Sequence, residues 1–141
     1  MYKIEKMNIK DYDEIMDLWK NTDGVGLRSD DDSKKSIKKF LKKNPHTCFI
    51  VKYKKKEIIG TIMAGNDGRR GHLYHLAVKP EHRKNGIGKK LLEKAEKGLQ
   101  KEGIRKTFLV VFKENDAGNK FWEATRYKIR EDLYYRDKHI M

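Results

Sequence analysis

The sequence predicts an α/β (α+β) domain with a mixed, mostly antiparallel central sheet and helices on both faces. Three observations predict it. The β-rich runs Thr47 to Tyr53, Glu57 to Ala64 and Gly71 to Val78 follow one another across short turns, so they pair antiparallel. A helical run after Gly86, with Ile87, Leu91, Leu92, Ala95 and Leu99 at helical spacing, leads into a further β-rich run at Thr107 to Phe112. A strand-helix-strand unit of that kind is a right-handed parallel crossover. The overall order reads β-α-α-β-β-β-α-β-α-β. With 141 residues and neither linker nor repeat, residues 1–141 are expected to form a single domain.

Each element has its own local signal. Residues 2–8 read as a first strand. Asp11 followed by Glu14 resembles a capping box, after which Tyr12, Ile15, Met16 and Trp19 share a helical face. Asn21 to Asp32 is polar, contains Gly24 and Gly26, and reads as a loop. Ser33 can cap a second helix that turns Ile37, Phe40 and Leu41 inward and ends near Asn44-Pro45. Lys54 to Lys56 is a turn, and Asn66-Asp67-Gly68 is a hairpin signal. The long helix runs from about Gly86 to Gln100, with Gly103 as its stop. Asp116 to Thr125 reads as a short helix and Tyr127 to Arg136 as a final strand.

Composition narrows the function classes. Lys plus Arg number 34 against 21 Asp plus Glu, a net charge of +13. These bases are spread along the chain, and no stretch interleaves them with several aromatics as a single-strand nucleic-acid groove would. That spread argues against a nucleic-acid partner, although a positive field still attracts anionic ligands. No apolar stretch approaches the roughly 18 residues of a membrane span. Met1-Tyr2-Lys3-Ile4-Glu5 lacks a signal-peptide core, and Cys48 is the single cysteine, so a reducing cytoplasm is expected. Cys48 sits in an apolar run and reads as an inert thiol; no metal-ligating set is read.

The chemistry concentrates in Arg83-Lys84-Asn85-Gly86-Ile87-Gly88, where a strand turns into a helix. A helix start presents free N–H groups and the positive end of a dipole, so this corner suits a phosphate or pyrophosphate. It is not a Walker A loop, because Gly88-Lys89 is followed by Lys90 and Arg83 stands where the first glycine belongs. Nor is it a dinucleotide fingerprint, since Leu91 occupies the third small position. The pattern that remains is R-x-x-G-x-G.

The run from Leu76 to Gly88 resembles the signature of the GNAT superfamily of N-acetyltransferases, and the element order matches that family along nearly the whole chain. A second segment, Asn115 to Glu123, is similar to the family's N-x-x-A-x-x-[FL]-Y segment beside the cofactor thiol. The resemblance implies a GNAT-like acyl-CoA acyltransferase fold and acetyl-CoA (coenzyme A) as cofactor. It implies that Leu76, Ala77 and Val78 hold the pantetheine arm through their backbone. Arg83, Lys84, Asn85, Gly86, Ile87, Gly88 and Lys89 would then hold the pyrophosphate, and Asn115, Gly118, Phe121 and Trp122 would flank the thiol. Trp19, Asp23 and Arg28 fall where the family borders its acceptor.

Two positions depart from the family pattern. Trp122 replaces the usual tyrosine, and indole N–H cannot protonate a leaving thiolate. Arg126 replaces a glycine before Tyr127, which suggests a changed turn.

Acetyl transfer to a primary amine by direct attack requires a neutral amine, so a base or water path must take its proton. His72 stands where some family members carry a glutamate, and it is the first candidate, with His75 and Tyr74 behind it. Strand alternation puts His72, Tyr74 and Leu76 on one face and Leu73, His75 and Ala77 on the other. The alternatives are an acyl-CoA-binding regulatory module without transfer activity, motivated by Trp122, and a basic nucleic-acid binder. The acceptor is read only as a small-molecule, peptide or protein amine, with Asp30 to Asp32 able to favour cationic ones if they line its entrance. A homodimer through the last strands would follow by family analogy.

Overall fold

The computed structural model describes residues 1–141, which divide into two compact units, Met1–Val110 and Val111–Met141. The first unit holds a five-stranded sheet whose spatial order is that of the chain, β1-β2-β3-β4-β5. The strands are β1 (Tyr2–Lys6), β2 (Phe49–Tyr53), β3 (Glu57–Asn66), β4 (Gly71–Val78) and β5 (Thr107–Phe108). β1 to β4 pair antiparallel, and β5 joins β4 in parallel. This is the mixed, mostly antiparallel sheet that the short turns and the crossover required.

Helices cover both faces. α1 (Tyr12–Lys20) and α2 (Lys34–Lys43) bury Ile15, Leu18, Trp19 and Ile37 in a core shared with Met7, Cys48, Ile50, Ile58, Met63 and Ala77. α3 (Ile87–Lys101) lies on the opposite face and buries Ile87, Leu91, Leu92, Ala95 and Leu99, the five positions its periodicity picks out. α2 has the sequence KKSIKKFLKK, so its lysines face water while Ile37 points inward. Ser33 caps it by accepting from the Ser36 N–H. No helix is long and apolar enough to cross a membrane.

Asp11 makes no side-chain cap. Instead Asn8 caps a short 3₁₀ turn at Ile9–Asp11, and α1 continues directly from it. Glu14, the other half of the expected capping box, instead accepts the N–H of Ile58 at 2.8 Å. The β2–β3 hairpin turns through Lys54 and Lys55, both at positive φ (53° and 60°), with Lys56 N–H donating to the Tyr53 carbonyl. Positive φ at both central turn positions gives the twist a tight hairpin favours, made here by lysines.

The second unit contains α4 (Asp116–Ala124). Residues 127–136, expected as a last strand, form none, and all residues from Lys128 onward are exposed. β5 is likewise shorter than its β-rich run, two residues where Thr107 to Phe112 was expected. β propensity measures fit to a pleated, half-buried surface, and the composition of these segments does not by itself supply one.

Candidate active site

β4 is regular from Gly71 to Tyr74 and then breaks. Thr61 pairs with Ala77 and Met63 with Tyr74, so His75 and Leu76 together face Ile62 alone. The extra residue is a β-bulge, and His75 takes it up with a left-handed φ of 48°. The bulge corrects the alternation expected for this strand. The Cβ position of Gly71 points at Leu99 of α3, so Gly71 and Leu73 face α3, whereas His72 and Tyr74 face α2. His75 then also faces the α1–α2 side, where its ring packs on Trp19 with centroids 4.6 Å apart. His72, Tyr74 and His75 therefore share one face. Leu76 does not share it.

The rings on that face touch in series. His72 stacks on Tyr74 at 4.1 Å and leans on Phe108 at 4.3 Å, and Tyr74 meets Phe40 edge-on at 5.7 Å. The Nε2 of His72 is buried without a hydrogen-bond partner. Burial disfavours the charged imidazolium, which holds the His72 pKa below its ordinary value. Buried polar atoms normally have partners, so an imidazole held toward its neutral form with its Nε2 unmatched is a functional candidate on physical grounds.

His75 is held from two sides. Its carbonyl accepts from Thr61 Oγ1 at 2.8 Å, and its Nε2–H donates to Asp32 Oδ1 at 2.7 Å. A carboxylate only accepts, which fixes that proton on Nε2. Trp19 stands deep in the core at 1% exposure, its Nε1–H donating to Thr61 Oγ1. It thus has no surface to offer an acceptor and touches the site through His75. Asp23 is exposed, and Arg28 pairs with Asp30 at 3.8 Å on the surface. Asp32 does not line an entrance as the three-aspartate run suggested; it is buried. The sequence reading missed both Asp32 and Thr61. Nothing in its charge run sets Asp32 apart, whereas Thr61 is a lone hydroxyl in the apolar run Ile58 to Met63 and could have been noticed.

Beyond the bulge the backbone is open. β5 pairs with β4 only at Gly71 and His72, so β4 carries no strand on that edge from Leu73 to Val78. A 3₁₀ turn at Pro80–His82 then leads to Arg83, whose Nε–H reaches back to the Val78 carbonyl at 3.1 Å. Lys84 has a left-handed φ of 65°. Asn85 ties the turn by donating to the carbonyls of His82 and Arg83. Gly86 heads α3 at φ 74°, a conformation that glycine adopts without a Cβ penalty, and Lys90 is the first residue whose N–H finds a helical carbonyl, that of Gly86. The N–H groups of Ile87, Gly88 and Lys89 thus project from the helix start. Arg83, Lys84 and Lys89 are exposed beside them.

The remaining sequence-singled residues lie in the second unit. Asn115 caps α4 by accepting the Gly118 N–H at 2.9 Å, and a Cβ on Gly118 would come within 2.5 Å of the Asn115 amide, so the cap needs glycine there. Trp122 packs edge-on between Phe121 and Tyr127, 5.1 and 5.2 Å away. The turn after α4 is not altered by Arg126. Arg126 adopts φ 73°, its N–H bonds to the Glu123 carbonyl and that of Tyr127 to the Trp122 carbonyl, which is the Schellman close a glycine would make.

Comparison with known proteins agrees with this architecture. Residues 12–126 match the acetyltransferase (GNAT) family. An acetyltransferase of Sodalis glossinidius is 33% identical over 131 residues, covering 93% of this chain and 90% of its own. One from Photorhabdus laumondii is 37% identical over 129 residues, covering 92% and 82%. Among solved structures, the PaiA N-acetyltransferase of Thermoplasma acidophilum in complex with coenzyme A has a TM-score of 0.75 at 24% identity, covering 89% of this chain and 88% of that one. An aminoglycoside N-acetyltransferase in complex with CoA has a TM-score of 0.77 at 20% identity, covering 98% and 95%. The chain belongs to the acetyltransferase (GNAT) family and is an N-acetyltransferase of it. That family uses an acyl-CoA and an amine acceptor.

Proposed function

We propose that this protein transfers the acetyl group of acetyl-CoA to a primary amine by direct attack in a ternary complex. One observation carries the reading: the open edge of β4 is followed, across the turn at 79–85, by the unpaired amides at the start of α3. An extended pantetheine arm can bond along such an edge, at Leu76 to Val78, while the pyrophosphate meets the Gly86–Lys89 amides with Arg83 and Lys84 beside it. A backbone N–H in the Leu76–Val78 stretch would polarise the thioester oxygen as charge develops. Asn115, Gly118, Phe121 and Trp122 belong to the same proposal through the family pattern, with Asp23 and Arg28 on the acceptor side. His72 is the proposed proton acceptor; Tyr74, stacked on it, orients the ring. His75 serves the site through its fixed backbone.

Direct attack needs no enzyme nucleophile, and the one thiol is unsuited to be one. Cys48 is buried, and burial pushes its pKa up to about 12, so essentially no thiolate forms near neutral pH. A homodimer would use the segment after Tyr127, where Ile129, Leu133, Tyr134 and Tyr135 stand exposed.

The test is binding. Acetyl-CoA at 100 times its Kd should stabilise the native state by about 2.7 kcal/mol, read as a rise in Tm. Gly86→Val places a β-branched residue in the left-handed region and should abolish that rise, whereas Gly86→Asn, which tolerates this backbone, should keep most of it. No rise with wild-type protein, or an equal rise in all three, overturns the reading.

A further inference from the structure

Asp32 uses every polar group it has. Its Oδ1 accepts from His75 Nε2–H at 2.7 Å and its Oδ2 from the Arg28 N–H at 2.8 Å. Its own N–H donates to the Arg28 carbonyl at 2.9 Å, and its carbonyl accepts from the Tyr12 hydroxyl at 2.6 Å. The residue is 7% exposed. A carboxylate this buried is costly unless both oxygens are satisfied, and here both are. The partners come from three places: α1, the loop that follows it, and the break in β4.

The β4 partner is the informative one. His75 sits in a backbone conformation that disfavours a residue with a Cβ by about 1–2 kcal/mol, so the surroundings must hold it there. Thr61 holds its carbonyl, while Asp32 and Trp19 hold its ring. Leu76 to Val78, the stretch with the free edge, begins at the next residue. We infer that Asp32 is a positioning residue: through its hydrogen bond to His75 it pins the β4 bulge and so fixes the Leu76–Val78 backbone against the thioester. This rests on the reading of that backbone as the thioester contact.

The site explains why a carboxamide should serve almost as well as a carboxylate. In Asp32→Asn the amide oxygen can accept from the Arg28 N–H, and its NH₂ can donate to His75 once the imidazole carries its proton on Nδ1. Asp32→Ala leaves both donors unmet. Such a displacement of a reacting group is costly in rate, and an error of about 1 Å can cost about 100-fold.

Two readouts test this, one of them independent of activity. Backbone amide exchange across Leu76–Val78, followed by mass spectrometry on the full chain, should speed up in Asp32→Ala and stay near wild type in Asp32→Asn. With acetyl-CoA and an accepted amine, kcat should fall by about tenfold or more in Asp32→Ala. Acetyl-CoA affinity should fall less than kcat, because the pyrophosphate contacts at the Gly86–Lys89 amides lie outside the loosened stretch, and Asp32→Asn should restore both. If Asp32→Ala does not fold, His75→Asn, which accepts left-handed backbone but withdraws the ring from Asp32, takes its place in both measurements. Unchanged exchange overturns the pin. Faster exchange with unchanged kcat overturns its positioning role, and equal losses in the Ala and Asn variants overturn the hydrogen-bond account. A wild-type protein that binds no acetyl-CoA overturns the parent reading instead, while the exchange comparison still decides whether the pin exists.

Discussion

Trp19 donates its indole N–H to Thr61 Oγ1 at 2.9 Å, and the same hydroxyl donates onward to the His75 carbonyl at 2.8 Å. Thr61 is fully buried, so this single oxygen joins helix α1 to the irregular point of β4 with no water to replace it. Replacing Thr61 by valine keeps the shape and removes both bonds. Each orphaned buried group costs about 1–3 kcal/mol. Thr61→Val should therefore lower the urea midpoint strongly without changing the slope, and Thr61→Ser, which keeps the hydroxyl, should lower it far less.

His72 gives a pH signature with a defined sign. Its folded pKa lies below the ordinary value of 6.5 because burial disfavours the cation. Above about pH 6.5 the ring is neutral in both folded and unfolded chains and contributes nothing to the pH dependence. As pH falls below that point the unfolded chain takes the proton first, so the native state loses stability until its own ring is protonated. The stability difference between wild type and His72→Gln should follow that course, flat above about 6.5 and changing below it.

The same titration governs rate if His72 accepts the amine proton. The kcat/KM profile should have an acid limb with its midpoint below about 6.5, and His72→Gln should remove that limb and lower kcat by about 100-fold or more. A limb that persists in the variant assigns the proton acceptor elsewhere.

Arg126 offers a stabilising change. It holds φ 73° at the close of α4 with both terminal hydrogen bonds in place. Arg126→Gly removes the Cβ penalty there and should stabilise the α4 turn by about 1 kcal/mol, read by amide exchange of Tyr127 and by thermal unfolding. A loss of stability would mean that the arginine side chain contributes more than its backbone costs.

Sequence periodicity located most of the frame. The five inward residues of α3, the Ser33 cap and the antiparallel run of β2 to β4 all follow from spacing and turn chemistry that act locally. So does the start of α3 at Gly86, because a glycine before a helical run is a local signal. The arrangement around His75 was not legible for a different reason. A bulge inserts one residue into a period of two, and Leu73-Tyr74-His75-Leu76-Ala77-Val78 contains no glycine or proline to mark the place. Asp32 was hidden because its neighbours Asp30 and Asp31 are exposed, and burial of the third is decided by a histidine 43 residues away. The absent last strand fails in the same way: Tyr127 to Arg136 has the composition of a strand, but pairing is not a property of composition.

The coincidence of spatial and sequence order in the sheet bears on how the chain assembles. The β2–β3–β4 meander closes through loops of a few residues, at 54–56 and 67–70, so its contacts are among the cheapest in entropy to form. β1 and β5 are connected to it across whole helices, at a higher loop-closure cost. The bulge lies within that meander. The groups that hold its backbone, Trp19 and Asp32, come from the long insertion between β1 and β2, so its geometry is complete only once that insertion has docked on the meander.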